Sequence, residues 1–110
     1  MIIEETEKIF KTLAKYNLIL SGEKLDIFAG YLLFHLIRYD EVSYNWMIKD
    51  FYVDRNLLDE REKLERCLCY LKKCGILYEK KQPKRLITKT DKGKRLFSEL
   101  SDIYKTKTIH

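Results

Sequence analysis

The stretch Leu71–Gly93, LKKCGILYEKKQPKRLITKTDKG, places a helix end, two short β-prone runs and a helix start close together. Gly75 is the residue type that ends helices in a left-handed conformation. The runs ILYEK (76–80) and RLITK (85–89) are rich in branched and aromatic residues. Between them, Pro83 suits a turn and not a central strand. We therefore predict a β-hairpin directly after a helix.

The residues on either side of this stretch predict the two helices that it joins. A buried face is predicted by the helical spacing of Leu64, Cys67, Leu68, Leu71 and Gly75. Asp59 is a suitable N-cap for this helix, which is expected to end at Gly75. After the hairpin, Thr90 is a suitable cap for a last amphipathic helix over 91–104.

Three helices are predicted before residue 59. An amphipathic helix covers 3–20, and Ser21-Gly22 interrupts it. A second helix from Glu23 to about Tyr39 is apolar nearly all round, so it should lie at the centre of the domain. Ser43 can cap a short third helix. The sequence thus predicts a mainly α fold with a small β-hairpin (α+β).

Length and composition favour a single domain over residues 1–110. The chain has 110 residues and a mass of 13.3 kDa, enough for one packed core, and it contains no Gly- or Ser-rich linker. The longest apolar run, 27–34, is too short to cross a bilayer. Acidic residues stand at the N-terminus where a secretory signal has basic ones. We expect a cytoplasmic protein without a membrane partner.

The charge is distributed unevenly along the chain. Residues 72–107 carry 12 Lys or Arg against 4 acids, whereas residues 1–71 carry 10 against 13. This asymmetry favours a surface that meets a polyanion. The competing interpretation is a solvated lysine surface, which fits the thermophile-like composition.

Residue types that carry catalysis or bind metals are sparse. His35 falls in the most buried helix, where a structural role is expected. Cys67, Cys69 and Cys74 diverge in direction on a helix and form no tetrahedral set. Cys69 alone faces outward, so only this thiol could link two chains. We predict that the protein is not an enzyme and has no metal site and no cofactor.

The order of these elements resembles a known family. The run Leu68-Cys69-Tyr70-Leu71-Lys72-Lys73-Cys74-Gly75-Ile76-Leu77, the basic hairpin and Thr90-Asp91-Lys92-Gly93 together resemble the winged helix-turn-helix regulators of the MarR-, PadR- and ArsR-like group. The likeness covers roughly residues 24–104, leaving 1–20 as an accessory helix. Lys89 departs from the pattern, because the family usually has Leu there. The resemblance implies a winged helix-turn-helix fold with extra N- and C-terminal helices.

The resemblance also implies where double-stranded DNA would bind. The helix before Gly75 would enter the major groove, and the hairpin, or wing, would lie on the backbone or a minor groove. We expect Arg85 to enter a groove, because its weakly hydrated guanidinium suits a narrow one. This prediction requires the hairpin cations to stand clear of acidic residues. The expected DNA-binding residues are Arg61, Glu62, Arg66, Tyr70, Lys73, Lys80, Lys81, Lys84, Arg85 and Lys89.

Two functions follow from the sequence. The first is a sequence-specific DNA-binding transcriptional regulator that acts as a homodimer through its N- or C-terminal helices. The second is an interaction module of the same winged-helix fold that binds protein, because acids and bases alternate on the fourth helix. A ligand pocket near Tyr16, Tyr31, Phe34 and Tyr39 is a further hypothesis, although an aromatic stripe is more often core.

Overall fold

The computed structural model describes residues 3–55, 61–81 and 84–108. They form a mainly helical α+β fold with a three-stranded antiparallel sheet in the order β1-β3-β2. The predictions of an Asp59 cap and a Pro83 turn lie outside the described residues. The elements are α1 (Ile3–Lys15), α2 (Glu23–Ile27), a π-helical segment (Phe28–Leu32), α3 (Leu33–Arg38), β1 (Glu41–Ser43), α4 (Tyr44–Arg55), α5 (Arg61–Lys73), β2 (Leu77–Lys80), β3 (Leu86–Lys89) and α6 (Asp91–Thr108).

Helix α1 ends at Lys15, five residues before the predicted end at Leu20. Asn17 has a φ of 62°, a left-handed conformation that Asn tolerates better than most residues. The Leu18 amide donates to the Leu13 carbonyl at 2.9 Å, which closes the helix in a Schellman-like turn. This turn directs Leu18 and Leu20 into the core.

The predicted second helix spans α2, the π-helical segment and α3 without a break. It contributes Phe28, Leu32 and Leu36 to the centre of the core, as expected for a helix that is apolar nearly all round. The π-helical segment was not predicted. Its wider turn is set by hydrogen bonds that sequence periodicity does not report.

Strand β1 corrects the prediction of a two-stranded hairpin. Val42 of β1 lies opposite Ile87 of β3, and both side chains are buried. A strand of three residues is too short to show alternation in sequence, and its pairing depends on a strand far along the chain. Ser43 caps α4 as predicted, with its Oγ accepting the Trp46 amide at 3.4 Å.

The end of α5 and the start of α6 meet at one point. Gly75 has a φ of 75°, and the Thr90 amide donates to the Ile76 carbonyl at 3.0 Å. Thr90 Oγ1 accepts the Gly93 amide at 3.0 Å and caps α6. A Cβ atom on Gly93 would lie 2.1 Å from the Ile76 oxygen, so only glycine fits there. The quoted stretch is compact because this contact joins both ends of the hairpin.

Helix α1 packs against α6 within the same chain. Leu13 is buried, Lys15 pairs with Glu99 at 2.7 Å, and the Tyr16 hydroxyl donates to Glu99. The predicted dimer rests on two additional amphipathic helices, 3–20 and 91–104, of which a small monomer has little need. Because these two helices contact each other, their amphipathic character does not by itself favour a dimer.

Candidate nucleic-acid interface

The outward side of α5 agrees with its prediction from helical spacing. Leu64, Cys67, Leu68 and Leu71 are buried, whereas Glu62, Arg66, Cys69 and Lys73 are exposed. Burial also raises the pKa of the Cys67 thiol to about 12, which makes this cysteine unreactive in the folded chain. The exposed stripe carries two cations and one acid.

Arg66 is held by an acid of the same chain. Its guanidinium contacts both carboxylate oxygens of Glu23, with Nε to Oε1 at 2.5 Å and Nη2 to Oε2 at 2.9 Å. Glu62 Oε2 lies 3.8 Å from the third nitrogen of the guanidinium, Nη1. The hydrogen bond from Arg66 lowers the pKa of Glu23. A phosphate would therefore have to compete with Glu23 for this side chain.

Tyr70 faces the protein, contrary to the expected phosphate contact. It is half-buried, and its hydroxyl accepts the Ile19 amide at 2.8 Å. The Lys24 ammonium lies 4.9 Å from the centroid of the ring. Tyr70 thus fixes the loop after α1 to α5. Simple helical geometry predicted an outward direction because it does not include the loop that covers this turn.

Arg85, the residue expected to enter a groove, lies directly before β3, at the turn end of the hairpin. Its Nε contacts Glu79 Oε2 at 2.7 Å, and Nη1 lies 3.6 Å from Glu65 Oε1 on α5. The guanidinium carbon lies 3.6 Å from the centroid of the Tyr44 ring. For Arg85 to meet DNA as predicted, phosphate would have to displace Glu79 and Glu65 from the guanidinium.

Glu79 is the centre of this charged cluster. It accepts from Lys72 on α5 at 2.7 Å and from Arg85 at 2.7 Å, and its side chain is 9% exposed. The Arg85 hydrogen bond first, and then Lys72, lower the pKa of Glu79 from 4.5 to about 2. Together with the Arg85–Glu65 contact, the cluster fastens the hairpin to one half-buried flank of α5.

We expect Glu79→Gln to lower the free energy of unfolding by about 2 kcal/mol near neutral pH, because two half-buried cations lose their charged partner. The pKa of the Glu79 carboxyl is lower in the folded protein than in the unfolded chain. Its charge therefore stabilises the fold above the pKa of the unfolded chain, and this stabilisation is lost as the pH falls. The difference from wild type should shrink between about pH 5 and about pH 2. Urea unfolding at several pH values measures it.

The control is Glu62→Gln on the exposed stripe of α5, where only a 3.8 Å pair is lost. Its effect should stay below about 0.5 kcal/mol. A Glu79→Gln effect that does not change with pH would contradict the role of the Glu79 charge.

Two further hairpin lysines are engaged. Lys80 lies 3.0 Å from Glu41 on β1, which lowers the pKa of that carboxyl. Lys89 is only 6% exposed, with its ammonium 3.4 Å from Asp40 and 5.2 Å from the Phe97 ring centroid. Burial lowers the pKa of Lys89. Because its amine is buried, Lys89 is not available as the predicted DNA contact. The side chain faces the core at a position where the family that the chain resembles usually has Leu.

The remaining predicted cations lie at the outer ends of α5 and of the hairpin. Arg61 and Lys73 are the first and last residues of α5. Lys81 and Lys84 lie on either side of the hairpin turn, and all four side chains are exposed. Within residues 3–55, 61–81 and 84–108, none of them forms an ion pair. In the described part of the hairpin, Lys80, Arg85 and Lys89 therefore pair with acids, whereas Lys81 and Lys84 do not.

No protein-family model, curated protein or solved structure matches this chain. The candidate interface is therefore judged on its own geometry. Across the described ranges, no three His, Cys, Asp or Glu side chains come together as a metal site. In the same part of the chain, no helix has the length and apolarity to cross a bilayer.

The sequence interpretation missed the acids that organise this surface. Glu79 and Arg85 flank the same hairpin turn, and cross-strand charge pairing is a signal that could have been used. Glu23, Glu41 and Asp40 come from elements far from the cations in sequence. Only the tertiary structure brings these acids to the cations they neutralise.

Proposed function

We propose that the chain binds double-stranded DNA as a winged helix-turn-helix protein, with α5 in the major groove and the hairpin turn on the backbone or a minor groove. The supporting observation is the fastening of the hairpin to α5 through Lys72, Glu79, Arg85 and Glu65. Among the described residues, the cations at the ends of α5 and beside the hairpin turn form no ion pair. DNA binding of this kind requires the cations of α5 and those beside the hairpin turn to meet the duplex from one side.

The proposal divides the basic residues into two groups. Lys72 and Arg85 hold the hairpin in place, and their charges are balanced by Glu65 and Glu79. Phosphate contact is assigned to Arg61, Lys73, Lys81 and Lys84, for which the described part of the chain contains no ion pair. Arg66 joins them only when phosphate displaces Glu23. Glu62 remains a candidate acceptor for a cytosine amine.

Titration of duplex DNA at several salt concentrations tests this function. Each phosphate contact makes the slope of log affinity against log salt more negative by about 0.9. Four contacts therefore give a slope of about −3 to −4. Comparison of random and selected duplexes reports sequence specificity. An affinity that does not change with salt would contradict phosphate binding by these residues.

A protein-binding role is the second candidate. Pairing of Arg66 with Glu23, and of Arg85 with Glu65 and Glu79, leaves a mixed-charge surface of the kind that suits protein partners. Under this alternative, a protein partner still co-purifies from a cell extract after the charges at the hairpin turn are reversed. The regulatory role and the homodimer remain part of the DNA-binding proposal, and sedimentation with and without duplex measures the assembly state.

A further inference from the structure

The α1–α2 loop, residues 16–22, lies along one flank of α5. The Ile19 amide donates to the Tyr70 hydroxyl at 2.8 Å. Directly after the loop, the Glu23 carboxylate contacts the Arg66 guanidinium at 2.5 and 2.9 Å. Tyr70 and Arg66 are four residues apart, which is about one turn of α5. Two contacts one turn apart therefore hold this part of the chain alongside the helix.

The hairpin occupies the other flank of α5, where it contacts Glu65 and Lys72. Lys72 lies two residues after Tyr70, so these two side chains leave the helix about 160° apart. Cys69 and Lys73 are exposed between them. The exposed stripe of α5 is thus bordered by the hairpin on one side and by the α1–α2 loop on the other.

The backbone of the α1–α2 loop presents the Ile19 side chain to solvent. Leu18 is 3% exposed and Leu20 is 8% exposed, whereas Ile19 between them is 78% exposed. The Leu18 amide donates to the Leu13 carbonyl at 2.9 Å, and the Ile19 amide is held by Tyr70. Because the two buried leucines point into the core from either side, Ile19 is directed outward.

The chemistry of the loop suits an apolar contact. In the described part of the chain, Ile19 is the most exposed of the large apolar side chains. Single exposed apolar side chains are common, so exposure alone does not indicate a contact. Here the backbone is already ordered, so little conformational entropy is lost when a partner covers the side chain. Residues 16–22 carry no charge, and the acid that follows, Glu23, is paired with Arg66.

We propose that Ile19 makes an apolar contact with the duplex that α5 binds, against a thymine methyl group or a deoxyribose. Thymine presents its methyl group in the major groove, and the sugars lie beside the phosphates. Tyr70 is a positioning residue, because its hydroxyl holds the Ile19 amide. This inference rests on the proposed DNA binding. A protein partner is the competing occupant, but Lys24 over the Tyr70 ring and the exposed Lys73 favour a polyanion beside the loop.

Ile19→Ser should weaken duplex binding by about tenfold, because apolar area is no longer removed from water. The slope of log affinity against log salt should stay the same, because no phosphate contact is lost. The control is Phe34→Ser, which changes a 55% exposed apolar side chain on α3, and it should leave duplex affinity unchanged. Circular dichroism checks that both variants are folded.

Tyr70→Phe removes only the hydroxyl that holds the Ile19 amide. It should weaken duplex binding by about threefold in the wild-type chain and have no further effect when Ile19 is already serine. If the hydroxyl instead contacts phosphate, Tyr70→Phe weakens binding equally in both chains, and the positioning role is wrong.

Replacing thymine with deoxyuridine removes the methyl group alone and distinguishes the two apolar targets. A methyl contact predicts that this replacement weakens binding by the wild-type chain and not by Ile19→Ser. If Ile19→Ser weakens binding and deoxyuridine does not, the contact is to deoxyribose. The inference is overturned if wild type binds DNA and Ile19→Ser binds equally well, or if Ile19→Ser makes the salt slope less negative. If wild type itself shows no salt-dependent duplex binding, the proposed function fails as well. Loss of a co-purifying protein from Ile19→Ser with unchanged duplex affinity would assign the loop to a protein partner.

Discussion

Replacing Gly93 with alanine is expected to lower the free energy of unfolding by about 3 kcal/mol. The added methyl group would lie 2.1 Å from the Ile76 carbonyl oxygen. That oxygen cannot move freely, because it accepts the Thr90 amide at 3.0 Å and lies between α5 and β2. At a helix position without such a contact, replacing glycine with alanine would raise the free energy of unfolding by about 1 kcal/mol. A decrease would therefore indicate that the methyl group meets the Ile76 oxygen.

Urea unfolding followed by circular dichroism measures this change. Ser98→Ala is the control, because Ser98 lies on the exposed side of the same helix. Its effect should remain within about 0.5 kcal/mol. A Gly93→Ala variant as stable as wild type would mean that α6 does not start against the Ile76 carbonyl, and the hairpin would then lack its fixed base.

Charge reversal at the hairpin turn should have the largest effect on DNA binding. We expect Lys81→Glu combined with Lys84→Glu to reduce duplex affinity about 100-fold at about 0.1 M salt, because two phosphate contacts are lost and two repulsions replace them. The slope of log affinity against log salt should become less negative by about 2. Both side chains are exposed, so the unfolding free energy should hardly change.

The matched control is Lys8→Glu with Lys11→Glu on α1, which changes the net charge by the same amount. These residues lie on a helix that packs against α6, and screening limits their influence to about 10 Å in ordinary buffers. We expect a loss of affinity below about fivefold. Equal losses in the two double variants would mean that overall charge, and not the hairpin turn, determines binding.

Local signals predicted the elements that form this surface. The spacing of Leu64, Leu68 and Leu71 predicted the buried face of α5, and the structure confirms it. Gly75 and Thr90 predicted the end of α5 and the start of α6, because both act on their nearest backbone groups. Such signals are reliable where a few neighbouring residues determine the conformation.

Features that depend on distant parts of the chain were not predictable in this way. Strand β1 was missed because its three residues become a strand only by pairing with β3. For the same reason, the sequence did not show which cations of the candidate site are paired with acids. Lys89 and Arg85 are cations in the sequence, but their availability depends on Asp40, Glu65 and Glu79, which only folding brings close.

The central claim is that α5 and the hairpin turn together form one nucleic-acid-binding surface. Its most direct test is to titrate isotopically labelled protein with a short duplex and to follow each backbone amide by nuclear magnetic resonance. We expect the shifts to concentrate around Arg61, Lys73, Lys81 and Lys84, with α1 and α6 little changed. Shifts confined to α1 and α6, or no shifts at saturating duplex, would contradict the claim.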